Sequence, residues 1–320
     1  MKVKNIYISI CLALLTLVSC QQEDVYTGPC NVRFKAYVQD EVAVTRATYT
    51  NITVSDVPAF IAELFVTNGE VVSRSSLTWN GSTATSSLRL EEGDYTIYGY
   101  APKAEGAAFA LETKAMTATA IPGLSDKDAM VIRPQSLKIG QNDKEKHVAL
   151  QLDHLMAKVT PRFYLNSTYA KLRKIKIKKV ELWIEGGADT HTATVTYTND
   201  NANPYSIAWS KGEPIAQQKF EVYNVAEPTW LTTTKGDQEY GYCYFCPNQS
   251  TANLKMRVIY DVYDTEEQLL RPDAEAVNTI KKLNSQRIVP GTDYKLNIQI
   301  VPTYLYVLSD NDEESLVIND

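Results

Sequence analysis

The stretch Val32-Arg33-Phe34-Lys35-Ala36-Tyr37-Val38 decides the fold class of this chain of 320 residues. Apolar residues occupy every second position, and polar or charged residues fall between them, which is typical of a half-buried β-strand. The same period of two recurs at 148–152 and at 256–262. The sequence therefore predicts an all-β protein.

Tight turns connect the predicted strands of the first half. Asn68-Gly69 follows an apolar stretch at 60–66, Asn80-Gly81 follows Trp79, and Glu91-Glu92-Gly93-Asp94 joins two further strands. Asn and Gly adopt positive φ at low cost, which suits tight hairpin turns. We therefore expect a stack of hairpins in this half.

The alternation changes parity at Asp153-His154, which indicates a break or a bulge. We place a domain boundary there, with one domain at 31–152 and a second at 153–320, each near the common domain size. Many short strands with hairpin turns predict two β-sandwiches, with barrels as the alternative.

A weak internal echo favours two related domains. Gly93-Asp94-Tyr95 in the first half and Gly291-Thr292-Asp293-Tyr294 in the second each place a glycine turn before a strand that begins with tyrosine. Only the stretch 273–283 has helical spacing, with Asp273 as the cap and Ala274, Val277 and Ile280 along one side. It predicts one short helix.

The N-terminus has the layout of an export signal. Lys2 and Lys4 precede an apolar run at 6–18, which closes on Leu17-Val18-Ser19-Cys20. A basic start, an apolar run and a small residue before the cleavage point together predict a signal peptide that ends in a lipobox. The run is too short to stay in the bilayer as a spanning helix. The alternative is a buried N-terminal helix that ends in cysteine.

This layout predicts that residues 1–19 are removed and that Cys20 becomes the first residue, acylated with diacylglycerol. Several acyl chains hold a protein to a bilayer almost permanently. Residues 20–30, which begin with the polar Gln21-Gln22-Glu23-Asp24, would then link the membrane to the folded body.

The charge of the chain excludes a nucleic-acid partner. Net charge is −6 and becomes −8 when Lys2 and Lys4 are removed, so there is no basic footprint. The one cationic stretch, 171–179, alternates lysines with Ile175 and Ile177, which indicates the wet face of a strand.

The cysteine count allows at most one disulfide, since Cys30, Cys243 and Cys246 are the thiols left after Cys11 and Cys20. Cys243 and Cys246 have the spacing of a redox motif, but in a strand residues three apart point to opposite faces. Zinc would need four ligands, so a metal site is also disfavoured.

No cluster of residues points to catalysis. The three histidines, His147, His154 and His191, lack a metal-binding spacing. Asp153 and His154 could serve a hydrolytic triad only if a serine met them in space, and boundary-turn residues are the stronger interpretation. The acidic series Asp310, Asp312 and Glu314 lacks the glycine of a helix-loop-helix calcium loop. We predict a non-enzymatic protein without cofactor or metal.

Seven stretches, taken in order, resemble one known family. They are 17–20, 32–37, Thr45-Arg46-Ala47, 90–100, 152–159, 290–298 and 302–307. Apart from the lipobox at 17–20, each is a strand pattern or a turn. Their order, together with the lipobox, resembles the fimbrillin family of Bacteroidales, the lipoprotein precursors of fimbriae. The resemblance spans nearly the whole chain.

The resemblance implies two tandem transthyretin-like β-sandwich domains, an outer-membrane lipid anchor and a location at the cell surface or in a fimbrium. It also implies that an arginine-specific protease cuts after Arg46, leaving Ala47 as the new N-terminus. The cut would remove the strand at 32–38 and leave a groove that a strand of another fimbrial subunit fills. The alternative is that Arg46 is an ordinary loop arginine.

The strand that fills the groove would come from the C-terminal segment. Its apolar residues are Tyr304, Leu305, Tyr306, Val307, Leu316, Val317 and Ile318. The alternative is that both pieces complete the second sandwich of their own chain. The sequence leaves open whether the protein is a stalk, tip or anchor subunit.

A second function remains open, in which a surface lipoprotein binds glycan or another host ligand through aromatic patches. It rests on Trp183, Trp209, Trp230 and the stretch 240–245. Aromatic residues are also ordinary sandwich core.

Overall fold

The computed structural model describes residues 28–38, 50–51, 59–70, 72–80, 84–103, 107–185, 188–198, 200, 203–215, 219–248, 254–280, 288–301 and 304–308. These residues contain one short 3-10 helix, Tyr169–Lys171, and are otherwise strands and connections. The prediction of an all-β protein is confirmed for this part of the chain.

The strands are listed in chain order: β1 Cys30–Val38, β2 Thr50–Asn51, β3 Phe60–Thr67, β4 Val72–Trp79, β5 Ala84–Thr85, β6 Arg89–Leu90, β7 Gly93–Ala101, β8 Ala108–Ala110, β9 Ala115–Pro122, β10 Leu124–Ser125, β11 Met130–Ile139, β12 Glu145–His154, β13 Ala157–Leu165, β14 Lys174–Ile184, β15 Ala188–Tyr197, β16 Tyr205–Ile215, β17 Phe220–Asn224, β18 Gln238–Glu239, β19 Cys243–Phe245, β20 Leu254–Tyr263, β21 Leu269–Thr279, β22 Thr292–Val301 and β23 Tyr304–Leu308.

The strands form four sheets. The first has eight strands in the order β5-β4-β3-β7-β11-β12-β1-β6, and the second has the order β10-β19-β13-β22-β2, with β18 also on β13 and β23 also on β22. The third has the order β17-β14-β20-β21 and the fourth β16-β15-β9-β8.

The sheets pack in pairs around two clusters of buried side chains. The first and fourth sheets share the first cluster, which contains Phe34, Phe65 and Leu150 from the first sheet and Met116 and Val195 from the fourth. The second and third sheets share the second cluster, which we describe next. Apolar faces of two sheets that bury against one another are the basis of a sandwich.

The second cluster contains Phe163, Phe245 and Ile298 from the second sheet and Leu182 and Val258 from the third. Two elements pair with strands of the other half. The hairpin of β15 and β16 pairs with β9, and β10 pairs with β19. The proposed division into 31–152 and 153–320 stays a prediction, and pairing occurs across it in both directions.

Strand β19 lies between the two clusters. Cys243 and Phe245 belong to the second cluster, whereas Tyr244 and Cys246 belong to the first. Successive residues of a strand point to opposite faces. The three residues of β19, together with Cys246, therefore supply side chains to both cores. This confirms that Cys243 and Cys246 point to opposite sides.

Several turn and strand predictions are confirmed. The turn at Asn68-Gly69 joins β3 to β4, and Gly69 has φ 98°. Strand β12 ends at His154, and β13 begins at Ala157, so the strand is interrupted where the alternation changes parity. Ile175 and Ile177 are buried on β14, while Lys174, Lys176 and Lys178, which alternate with them, are partly exposed.

The prediction of hairpins throughout the first half is wrong at one place. The turn before Gly93 does join two strands, β6 and β7, but these strands do not pair with each other. Strand β6 pairs with β1, and β7 lies between β3 and β11. Both echo glycines do have positive φ, 155° at Gly93 and 74° at Gly291.

The helix predicted at 273–283 is also wrong, because 269–279 is strand β21, antiparallel to β20. Ala274 and Ile280 are buried, Ala276 packs against the second cluster, and Val277 is exposed on the other side. The positions that face the cluster are therefore spaced with a period of two, as in a strand. Asp273 has φ 49°, close to a register shift, so it marks an irregularity of the strand and not a helix cap.

Candidate functional site

Strand β1 lies near one end of the first sheet and pairs in parallel with β12. The register runs without interruption from Asn31 opposite Glu145 to Val38 opposite Leu152. On the other side of β1, among the residues that the structure describes, only Cys30 and Asn31 pair with another strand, β6. Strand β1 is therefore attached along its length by a single ladder.

The sequence of β1 explains why it lies there. Cys30, Val32 and Phe34 are buried in the first cluster, while Asn31 and Arg33 are exposed. The half-buried strand predicted from the alternation is confirmed at Val32, Arg33 and Phe34. Burial of a valine or phenylalanine side chain contributes about 1.5–3 kcal/mol, so apolar contacts hold the strand.

Outside the ladder with β12, polar interactions add little to the attachment of β1. The backbone N–H groups of Asn31 and Val32 donate to the carbonyls of Lys144 and Leu88, at 3.1 and 3.0 Å. The ion pair between Arg33 Nε and Glu145 Oε1, at 3.0 Å, has an arginine side chain that is 68% exposed. Water screens such a pair, and its contribution is roughly 0–1 kcal/mol.

The thiols show no sign of activation. Burial is the largest cause that raises the pKa of Cys30, with Asp143 acting in the same direction. Burial also raises the pKa of Cys243 to about 12. Neither these two nor Cys246 forms a disulfide. A raised pKa keeps a thiol protonated and therefore poorly nucleophilic.

The end of β12 holds two separate buried polar groups, one around each of its last two residues. Asp153 Oδ2 accepts from Arg133 Nε and from the Tyr205 hydroxyl, each at 2.6 Å. His154 Nδ1 contacts the carboxylate of Asp128 instead. The residues predicted as candidates for a dyad thus bind different partners.

Asp128 and His154 connect the first sheet to the start of the second half. Burial raises the pKa of Asp128, and the contact with His154 opposes that rise. Nearby, Leu155 N donates to Ala129 O at 2.7 Å. These contacts fix the turn through which the chain passes from β12 to β13.

The second strand edge of interest is the outer edge of β22. Tyr304, Leu305, Tyr306 and Val307 of the candidate donor segment lie in β23, which pairs antiparallel with β22 of the same chain, from Val301 opposite Tyr304 to Asn297 opposite Leu308. Further along the same edge, Thr50 and Asn51 of β2 pair with Asp293 and Thr292. Strand β13 occupies the inner edge of β22.

The aromatic residues of the alternative function are mostly internal. Trp183 is 7% exposed, and Tyr240, Tyr244 and Phe245 are buried. Trp209 packs partly against the first cluster.

Trp230 has a more exposed setting than these. Its ring lies 4.9 Å from that of Tyr263 in an edge-on arrangement, and Lys176 Nζ lies 4.3 Å from its centroid. This group, with Tyr242 at 38% exposure, is what remains of the predicted aromatic patches.

Several predicted positions lie outside the described residues. They are Cys20, Arg46, Ala47, Asp310, Asp312, Glu314, Leu316, Val317 and Ile318. In the part that is described, no helix has the length and apolarity to cross a membrane. Nor, within the same ranges, do three His, Cys, Asp or Glu side chains come together as a metal site.

Sequence reasoning missed two features of these edges. The two-residue strand β2 is too short to show a period, and no turn signal isolates it. The pairing of β1 with β12 joins residues more than a hundred positions apart, so no local pattern predicts it. The sequence predicts only that loss of the first strand would expose whichever strand pairs with it.

Comparisons with known proteins give a limited result. No protein-family model matches the chain. No curated protein matches it either.

Similar solved structures include a candidate cell adhesion protein from Bacteroides uniformis, at 13% identity, covering 88% of this chain and 96% of that one with a TM-score of 0.49. A fimbrial protein from Bacteroides vulgatus shares 13% identity over 88% and 98% of the two chains, with a TM-score of 0.37. The fimbrial anchor protein Mfa2 from Porphyromonas gingivalis shares 12% over 91% and 99%, with a TM-score of 0.32. Since all three scores are below 0.5, we draw neither fold nor function from them.

Proposed function

We propose that this chain is a structural subunit, or the precursor of one, of cell-surface fimbriae. It is exported as a lipoprotein, anchored in the outer membrane through Cys20, cut after Arg46 by an arginine-specific protease, and polymerised by strand exchange. The observation that carries the proposal is the attachment of β1 by one ladder, on the N-terminal side of Arg46.

Removal of β1 would unpair one edge of β12 and the two residues of β6, and would leave the ladder from β5 through β12 in place. Residues 145–152 of β12 would lose their partners on β1. Residues 152–154 at the end of β12 would keep their pairing with β11. The space vacated by Val32 and Phe34 would open onto the first cluster. An edge with unpaired backbone groups and apolar pockets binds an added strand, with ladder hydrogen bonds giving affinity and the pockets giving specificity.

The added strand comes from the C-terminal segment of another subunit. Two pieces of it are apolar, Tyr304-Leu305-Tyr306-Val307 and Leu316-Val317-Ile318. The first already pairs with β22 in its own chain, so using it requires β23 to leave that edge. Donation of the second piece keeps β23 in place. Adhesion to a host ligand would follow from display of the assembled fimbrium.

The test uses protein produced from Gln21 onward and treated with an arginine-specific protease. We expect a new N-terminus at Ala47 and a ladder of multimers that persists in detergent without boiling. Arg46→Gln is the matched control, which should stay uncut and monomeric. If Arg46→Gln forms the same multimers after the same treatment, loss of β1 is not the trigger and the proposed mechanism is wrong.

The donor is identified by two variants of the same protein. Leu316→Ser with Ile318→Ser should abolish multimers while leaving the cut at Arg46 intact. Tyr304→Ser with Tyr306→Ser tests the alternative, in which β23 itself is donated. Loss of multimers in the second variant alone would assign the donor to β23.

A second candidate function is glycan binding at Trp230. Its ring is partly exposed and supported by Tyr263, with Lys176 beside it. Binding to a glycan array that disappears in Trp230→Ala, from a protein that forms no multimers after cutting, would favour this function over the fimbrial one.

A further inference from the structure

Two cavities lie side by side at one end of the first sheet, where β3 ends and β7 begins. Their volumes are about 550 and 580 Å³, within the range of roughly 300–1,000 Å³ that small-molecule sites occupy. Thr67, Gly69 and Thr96 line both cavities, so the two form one groove. We call it the sheet-end groove.

The strand register places three hydroxyl groups in one row across this groove. Thr96 of β7 lies opposite Thr67 of β3 on one side and opposite Ser136 of β11 on the other. Opposite residues share a face, and neighbouring strands lie about 4.7–4.9 Å apart. Tyr98 follows two residues after Thr96 on the same face. Burial raises the pKa of the Tyr98 hydroxyl, and a hydrogen bond with Thr96 opposes that rise.

The groove is open where the fourth sheet ends. The ring of Tyr98 lies 4.8 Å from that of Phe109 on β8 and 4.6 Å from that of Tyr197 on β15, so this face of β7 is turned to the fourth sheet. Strand β8 gives way to β9 through the turn at 111–114, which contributes to the wall of the second cavity. Thr96, one row further out than Tyr98, is partly exposed.

Charged side chains surround the row of hydroxyls. Asp94 lies opposite Lys138 in the next row outward, and both side chains are exposed. The wall of the second cavity carries Glu70, Glu112 and Lys114. Three carboxylates and two ammonium groups leave no excess of positive charge along the groove, which disfavours a polyanion as its ligand.

The backbone beneath the groove is already paired. At Thr96, β7 has a ladder on both sides, and at Thr67, β3 pairs with β4 as well as with β7. A peptide strand therefore cannot add to β7 or β3 by ladder hydrogen bonds at these positions. The floor instead offers hydroxyl groups, each of which can donate one hydrogen bond and accept two. A ligand rich in hydroxyl groups matches that chemistry.

We propose that the sheet-end groove is a binding site for a neutral oligosaccharide. Thr96 and Ser136 bond to hydroxyl groups of the sugar, Asp94 accepts from one, and Lys138 donates to another. The site lies in the first half of the chain, apart from Trp230, which forms a bridge with Lys176 of β14. It goes beyond the proposed function, because it requires neither cleavage nor polymerisation.

The test measures the binding of soluble oligosaccharides to the uncut chain from Gln21 by isothermal titration calorimetry. The neutral probes are oligomers of glucose, of mannose and of N-acetylglucosamine, and oligogalacturonate is the acidic probe. We expect a neutral probe to bind and oligogalacturonate to bind more weakly. A failure here would leave the proposed function standing, since the protein is tested before any cut.

Four variants locate the site. Asp94→Asn keeps the shape and removes the charge, so affinity should fall about tenfold or more. Ser136→Trp should abolish binding by filling the first cavity. Thr96→Val removes the central hydroxyl and should weaken binding severalfold, whereas Thr78→Val, at an exposed position of β4 opposite Ile61, is the matched control and should bind like the wild type.

Melting temperatures measured alongside show whether Thr96→Val folds, and Asp94→Asn and Ser136→Trp change exposed side chains in any case. The inference is overturned if no neutral probe binds, if oligogalacturonate binds more tightly than the neutral probes, or if Asp94→Asn and Ser136→Trp both keep wild-type affinity. Binding that is lost in Trp230→Ala and kept in the groove variants would place the sugar at Trp230 instead.

Discussion

Strands β1 and β13 occupy equivalent places in the two halves, and their surroundings differ. Each begins a half and pairs in parallel with a strand near the end of that half, β12 for β1 and β22 for β13. The other edge of β13 is covered by β19 and β18, whereas that of β1 meets β6 at two residues. The same parallel arrangement thus gives one strand held on both edges and one held mainly on one.

The faces of the two strands differ in the same sense. Phe163 of β13 is fully buried, and on its opposite face Thr160 is 2% exposed. On β1, burial alternates with exposure through Arg33. A strand that is buried on both faces and paired on both edges can detach only if its core unfolds. A strand with one solvent-exposed face and two paired residues on its second edge can detach by itself.

The largest effect should come from a cavity in β13. Phe163→Ala should lower the free energy of unfolding by about 3–5 kcal/mol, because Phe163 lies at the centre of the second cluster. Urea denaturation followed by tryptophan fluorescence measures it. Phe163→Leu, which keeps most of the volume, should lose less than half as much. Equal, small losses in both would contradict the central place of β13.

A cavity in β1 should act differently, although Phe34 is only 5% exposed. The loss in Phe34→Ala cannot exceed the free energy that holds β1, since detached β1 has no more to lose. Hydrogen exchange should accelerate in the amides of β12 that face β1, while the amides of β13 keep wild-type rates. Acceleration in both strands would show that the two are not separable.

The buried hydrogen bond between β13 and β22 should have an intermediate, pH-dependent effect. Thr160 Oγ1 donates to Asp293 Oδ1 at 2.7 Å, and burial raises the pKa of Asp293 against that bond. Thr160→Val should cost about 1–3 kcal/mol at pH 7.

The sign of the pH effect follows from the raised pKa of Asp293. A carboxyl whose folded-state pKa is raised contributes most to stability below its ordinary value of 3.8, and that contribution is lost as pH rises through the folded pKa. The cost of Thr160→Val should therefore shrink as pH falls toward 4, where Asp293 is increasingly protonated. Thr160→Ser, which keeps the hydroxyl, should show little pH dependence of its smaller loss.

The smallest effect is expected at the rim of β1. Arg33→Ala should change the free energy of unfolding by at most about 1 kcal/mol, because the pair with Glu145 is exposed. The difference should vanish in 1 M salt. A larger loss that persists in salt would mean that charge, and not Val32 and Phe34, holds the strand.

The local pattern of the sequence predicts the strands that have one wet face, and it fails where a strand is irregular. At β1, and in β14 as far as Ile177, the alternation is unbroken, so the faces of Val32, Phe34 and Ile175 could be predicted. At β21 the bulge near Asp273 offsets the period, and residues 274, 277 and 280 imitate a helix. Nothing in the local chemistry of that stretch rules the helix out.

The candidate site is predictable in part. The alternation is local and predicts the strand that precedes Arg46, whereas removal of that strand is implied only by the family resemblance. The sequence does not indicate that β2 and β23 share one edge of β22, because register between distant segments depends on the assembled sheet. The alternating faces of Cys243 and Cys246 lie between these extremes: the period of two predicts opposite faces, but not that each face belongs to a different core.

That last arrangement couples the melting of the whole body. Strand β19 supplies Cys243 and Phe245 to one cluster and Tyr244 and Cys246 to the other, so neither cluster can disorder without withdrawing support from its neighbour. On heating, the body should absorb heat in one peak, with calorimetric and van't Hoff enthalpies in agreement, although it has two cores. A body that melts as one unit would keep both cores intact if β1 were removed from its edge.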